Sequence, residues 1–168
     1  MFASELHRCR LGRLSVERQE YVAFPVSCRQ QTNVDWLSEP YADRQQIISQ
    51  TVHDIFQAAA EKNIEKLESY HLHNPKFTKF DDGEHRDIMD AEQGRVAERE
   101  IFTAIDSFTF NLVDLKASVF DRTATAAFII DYKAKLQGAP IGGKVRGTLV
   151  FVDDAGQWKI VHEHFSTY

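Results

Sequence analysis

Trp158-Lys159-Ile160-Val161-His162-Glu163-His164-Phe165-Ser166 is the stretch whose reading decides the fold. Its side chains fall into two alternating sets. Trp158, Ile160, His162, His164 and Ser166 form one, and Lys159, Val161, Glu163 and Phe165 the other, which is the two-residue period of a β-strand. The Asp154-Ala155-Gly156 turn precedes it, and Lys144–Asp153 alternates in the same way. Two earlier segments, Ser107–Val119 and Thr123–Leu136, repeat the pattern. Phe120-Asp121-Arg122 joins those two, and a Gly138–Gly143 loop containing Pro140 leads to the next. Short turns between long strands predict an antiparallel meander of four strands.

Upstream the period changes to that of helices. Ile47, Ile48, Thr51, Val52, Ile55, Phe56, Ala59 and Ala60 mark an apolar stripe on a helix over 44–62, with Asp43 as its cap. Asn63 caps a short second helix carrying Ile64 and Leu67, and Asn74-Pro75 ends that unit because proline disfavours helix in the residue before it. Lys76–Phe80 reads as a short strand, followed by the Asp81-Asp82-Gly83 turn. A third helix runs from Asp87 or Asp90 to Ala104, with Ala91, Val96, Ala97, Ile101 and Ile105 as its apolar face and Gly94 weakening it by roughly 1 kcal/mol. Three helices ahead of one short and four long strands give an α+β fold, a curved antiparallel sheet packed on helices as a cone with an internal cavity.

The first forty residues read differently. They hold five arginines, five acids, no lysine and both cysteines, Cys9 and Cys28, with no sustained apolar period. Residues 1–40 are therefore expected to be an extension, loosely ordered or packed on a partner through Trp36, Leu37 and Tyr41, and residues 41–168 the domain. No secretory h-region is present, and Glu5, Glu17 and Glu20 argue against a transit peptide. The net charge of −5 belongs to the domain, which excludes a general nucleic-acid or anionic-membrane binder. The longest apolar run, Ala126–Ile130, is far below the ~20 residues that span a bilayer. A cytoplasmic protein with reduced thiols is expected.

The order of elements and the closing Trp158 to Ser166 strand, with Gly156 before it, resemble the nuclear transport factor 2-like superfamily. The SnoaL-like branch, similar also to the association domain of calcium/calmodulin-dependent kinase II, is the best match, since its members often end in Trp-x-x-x-His-x-His-x-Ser. Thr148-Leu149-Val150-Phe151 resembles the preceding strand, and Asn74-Pro75-Lys76-Phe77 the short first strand. The resemblance covers residues 43–167. It implies a homodimer paired through the outer face of the sheet and a small-molecule ligand in the cone. For function it implies first the binding of a small, largely apolar ligand with proton-transfer chemistry of isomerase or cyclase type, and as the alternative a non-enzymatic oligomerisation or protein-binding module resembling the kinase association domain.

Among chemistry-bearing residues, His162 and His164 share a strand face and could act as acid and base near neutral pH. Tyr132 or Arg146 would hold an oxygen of the ligand, with Trp158 and Phe56 lining an apolar site. Asp131 is expected to be a solvated partner of Lys133 or Arg146. His71/His73 and His162/His164 are both His-x-His pairs, but zinc needs three or four converging ligands, so no metal is expected. Asp81, Asp82, Glu84 and Asp87 lack the alternation of a calcium loop. No phosphate loop or nucleophile elbow calls for a cofactor, and none is expected.

Overall fold

The structure is a computed structural model, and it describes residues 35–82 and 87–168. The expectations for residues 1–34, including both cysteines, and for Glu84 fall outside the described residues.

Helix α1 spans Ala42–Ala60 and buries Ile48, Val52, Ile55, Phe56 and Ala59, the 3.6-residue stripe that the sequence predicts. Ile47 lies beside that stripe and is exposed. The cap differs from expectation. Tyr41 occupies the N-cap position in a left-handed conformation with no side-chain bond, while Asp43 sits in the first turn, where its carboxylate meets the positive end of the helix dipole. Asn63 does cap α2, Ile64–Ser69, by accepting the Lys66 N–H at 3.0 Å. Strand β1 is Thr78–Phe80. Helix α3, Ala91–Ala104, starts at a capping box formed by Asp90 and Gln93.

The α3 face turned inward is Ala91, Gly94, Glu98 and Phe102, not the Val96 and Ile101 side, which stay exposed at 39% and 54%. Gly94 explains the choice. A Cβ there would lie 3.2 Å from a carbon of the Phe77 ring, so glycine lets the helix backbone settle onto that ring.

The long strands are β2 (Ile105–Phe120), β3 (Thr123–Leu136), β4 (Ala139–Asp154) and β5 (Gln157–Thr167), in sheet order β1-β5-β4-β3-β2. β2 to β5 form the antiparallel meander, and β1 adds to β5 in parallel, aligning Thr78 with His162, Lys79 with Glu163 and Phe80 with His164. The expected Gly138–Gly143 loop is strand. The turn is only Gln137-Gly138, both at positive φ, as a two-residue hairpin turn requires. β4 accommodates Pro140 because its pairing with β5 begins only at Val145, leaving that end of β4 with one strand neighbour. Phe151, Ile48, Leu149, Ile160 and Val52 are fully buried between α1 and the sheet.

Irregularities interrupt β2 between Val113 and Lys116, and β5 at Val161. In β5, Phe151 pairs with Ile160 and Val150 with His162, so Val161 is an extra residue opposite a single step of β4.

Candidate functional site

The bulge at Val161 decides which side chains of β5 enter the core. Up to Ile160 the inward residues are the even ones. After the extra residue the phase inverts, so Glu163 and Phe165 point inward and His162 and His164 point outward. Strict alternation, which groups Trp158 and Ile160 with the histidines, fails at this one residue.

Glu163, 2% exposed, meets three charged groups from three other segments. Lys79 of β1 brings its Nζ to 2.8 Å from Glu163 Oε2 and 2.5 Å from Glu98 Oε1 of α3. His71, just after α2, contacts Glu163 Oε1 through Nε2, and the same nitrogen lies 3.5 Å from Glu98 Oε1. His71 Nδ1 donates to the Leu67 carbonyl at 3.1 Å. A carbonyl only accepts, so Nδ1 carries a proton, and Nε2 facing carboxylates carries the second.

Burial alone would push the His71 pKa down, but the charges of Glu163 and Glu98 outweigh it and raise it to about 9. Lys79 is likewise raised against its burial by Glu163 and Glu98. Burial would raise Glu163, yet Lys79 and His71 hold it well below the ordinary carboxylate range. Glu98 goes the other way, raised by burial and by the Glu163 charge. The cluster is two cations against two carboxylates, an arrangement that survives in a core because each charge has a partner.

The ligand-type atoms of His71, Glu98 and Glu163 lie within 4.8 Å of one another. The Lys79 ammonium already stands between the two carboxylates and supplies the positive charge that a metal would bring. A void of about 10 Å³, room for one water, lies beside the cluster against His71, His73, Arg95 and Glu98. His73 bonds the Glu68 carbonyl through Nε2 at 3.1 Å and is not among the residues whose ligand-type atoms gather at the cluster.

Beside the aliphatic core between α1 and the sheet, the interior holds a group of aromatic rings. Phe56 packs against Phe128, Phe110 and Phe165 at centroid distances of 5.5, 5.7 and 6.4 Å, and Tyr132 lies 6.1 Å from Phe108. The Phe128 ring covers Gly147 so closely that a Cβ there would fall 2.3 Å from a ring carbon.

The outer face of the sheet carries a second feature, an open groove of about 690 Å³ lined by Phe80, Asp81, Asp82, His162, His164 and Thr167. His162 Nδ1 is 2.8 Å from the Thr78 hydroxyl oxygen, and the Phe80 ring sits edge-on to both imidazoles at 6.0 Å. Arg146 is on this face too, its guanidinium 5.1 Å over the Tyr168 ring. Asp131 is exposed, with Asn111 and Lys144 as its register neighbours.

The candidate residues therefore separate. Phe56, Tyr132 and Trp158 belong to the interior, and His162, His164 and Arg146 to the opposite face, so the sheet stands between the two sets. The four-charge cluster escaped the sequence reading. Its signal was Glu163 between apolar Val161 and Phe165, and Lys79 alternating with Phe77.

A SnoaL-like domain model matches residues 48–168. No curated protein matches the chain. Among solved structures, the chain is similar to a nuclear transport factor 2-like superfamily protein from Salmonella enterica serovar Typhimurium (16% identity, 76% of this chain, 92% of that one, TM-score 0.68). A candidate dehydratase of the same family from Streptomyces avermitilis aligns at 19% identity over 77% of this chain and 99% of that one, TM-score 0.65. The association domain of Caenorhabditis elegans CaMKII aligns at 17% identity over 76% and 98%, TM-score 0.61. At these identities the likeness shows the fold alone.

Proposed function

Because this chain belongs to the SnoaL-like domain family of nuclear transport factor 2-like proteins, we propose that it is a non-enzymatic association module that pairs with a second copy of itself through the outer face of its sheet. One observation carries this reading: the space where a cone would hold a ligand is occupied by the chain's own Phe56, Phe110, Phe128 and Phe165 rings. The outer face has the make-up of an interface. Ala127, Ile129, Thr148 and Val150 lie together on β3 and β4, with Arg146 paired beside Ile129 and Asp131 and Lys133 further along β3. The likeness to a kinase association domain supports the same reading. A cytoplasmic homodimer fits it, and no helix among the described residues is long and apolar enough to cross a membrane.

The test is sedimentation or light scattering of the full chain and of Ala127→Glu and Thr148→Glu, both at exposed positions. A dimer or larger assembly that each variant breaks, with thermal stability unchanged, supports the proposal. A monomeric parent chain, or variants that assemble equally well, overturns it.

The second reading is a small-molecule site with proton-transfer chemistry of the isomerase or cyclase type. The groove favours it, since its volume is within the range of small-ligand sites and it presents both His162 and His164. The likeness to a candidate dehydratase points the same way. In that reading the histidines move the proton and Arg146, on the same face, holds an oxygen, whereas Tyr132 has no access from the interior.

A further inference from the structure

We propose that the open stretch of the β4 edge, Ala139–Lys144, is a docking site for an extended acidic peptide, which adds to the sheet as a strand in line with β5. β4 pairs with β3 from Ala139 to Val152, but its pairing with β5 begins only at Val145. The last contact on that side is the Tyr168 N–H, which donates to the Lys144 carbonyl at 3.1 Å. This bond shows that the Lys144 backbone faces the β5 side. Strand alternation turns the backbone of Gly142 and Pro140 the same way, since the β3 register runs through this stretch without a shift. Gly142 therefore offers an N–H and a carbonyl to the open side, and Pro140, which has no N–H, offers a carbonyl. Among the described residues no strand pairs with these groups, and every residue of the stretch is exposed.

The side chains around this edge select the partner. On the outer face the register sets Lys135 beside Pro140, Lys133 beside Gly142, Asp131 beside Lys144 and Ile129 beside Arg146. Lys133, Lys135, Lys144 and Arg146 thus gather around a single acid, Asp131, in a chain whose net charge is −5. Among the described residues none of these four cations is in an ion pair. Lys144 and Arg146 lie instead over the Tyr168 ring, at 6.0 and 5.1 Å. Gly142 and Gly143 put no side chain in the way of an approaching strand. A Cβ at Gly142 would fall 2.7 Å from the Tyr132 carbonyl oxygen, so the position stays bare. On the opposite face Ile141, register neighbour of buried Ala134, is 40% exposed. A strand added here alternates in the same way, with acidic side chains toward Lys133 and Lys144 and apolar ones beside Ile141.

A second copy of the chain suits this slot poorly. Two β4 edges laid against each other would gather the lysines of both copies on one face, and Pro140 would withhold a donor from each. Because the open stretch is short and Pro140 thins its ladder, charge carries much of the recognition, and binding should weaken with salt.

The experiment is a chemical-shift titration of the isotope-labelled full chain with a short peptide of alternating glutamate and valine. The Gly142 amide should shift and become protected from hydrogen exchange as the peptide binds. Lys133→Glu and Lys144→Glu should each weaken binding by about tenfold or more. Both side chains are exposed, so the melting of these variants should match the parent. A peptide of alternating lysine and valine should not bind, and neither should the glutamate peptide with its backbone N-methylated, which cannot form the ladder. No shift at Gly142, equal binding of either control peptide, or unchanged affinity in Lys144→Glu overturns the proposal. Sedimentation without peptide measures self-pairing separately, so either proposal can fail alone.

Discussion

Lys79 and Glu163 stand side by side in the parallel β1–β5 register, and their ammonium and carboxylate meet at 2.8 Å inside the core. The pair ties a three-residue edge strand to the last strand of the meander. With Glu98 it also ties α3 to the sheet, although that helix keeps Val96 and Ile101 in solvent.

Breaking this pair from one side should be costly. Glu163→Ala leaves Lys79 and His71 buried with one carboxylate between them, and a loss of about 3–5 kcal/mol is expected. Urea unfolding checks it. Lys79→Met with Glu163→Leu removes the central pair together and should cost much less than Lys79→Met and Glu163→Leu taken singly and added, which a double-mutant cycle resolves.

The cluster also sets the pH response. The folded His71 pKa lies above its unfolded value of 6.5, at about 9, so its contribution is complete below pH 6.5 and fades as pH rises to 9. The shift corresponds to about 3 kcal/mol. Glu163 is depressed, so its contribution is present at neutral pH and is lost in acid. Raised Glu98 opposes that acid loss in part, since the folded chain binds its proton more tightly. The melting temperature should therefore fall between pH 6.5 and 9, and His71→Gln should be less stable at pH 6.5 and flat across that range.

Gly147→Ala should destabilise by about 1–3 kcal/mol, because the added methyl meets the Phe128 ring at 2.3 to 3.0 Å. Adding Phe128→Leu should recover part of the loss, a non-additivity that thermal unfolding of the double variant measures.

His164→Ala should change stability by less than about 0.5 kcal/mol, since the side chain is exposed and its neighbour Phe80 lies at the surface. Glu163→Ala, one residue away, provides the contrast. Equal losses from both would contradict the opposed facing of the two side chains.

Much of this domain was legible from residue periods. Ile48, Val52, Ile55, Phe56 and Ala59 announced α1, Asn63 its follower, and four alternating segments the meander. The turn at Gln137-Gly138 was misplaced because Gly142, Gly143 and Pro140 are loop formers that pairing with β3 holds in strand. The site was less legible, for a reason of geometry. A bulge has no composition of its own, and Val161 suits either phase of a strand, so nothing local marks it as the extra residue. Glu98 was similarly hidden, because its burial depends on Gly94 letting α3 approach Phe77.

The odd residue in β5 also governs how the strand tolerates change. In a saturation scan, intolerant positions should fall at Ile160, Glu163 and Phe165, spaced three and then two. His162, His164 and Ser166 should accept most replacements unless a second chain or a ligand occupies their face. The rhythm of that profile would locate Val161 without any structure. Permissive histidines would place the protein's constraint in its own folding, and restricted ones would reveal that the outer face is under selection for something it binds.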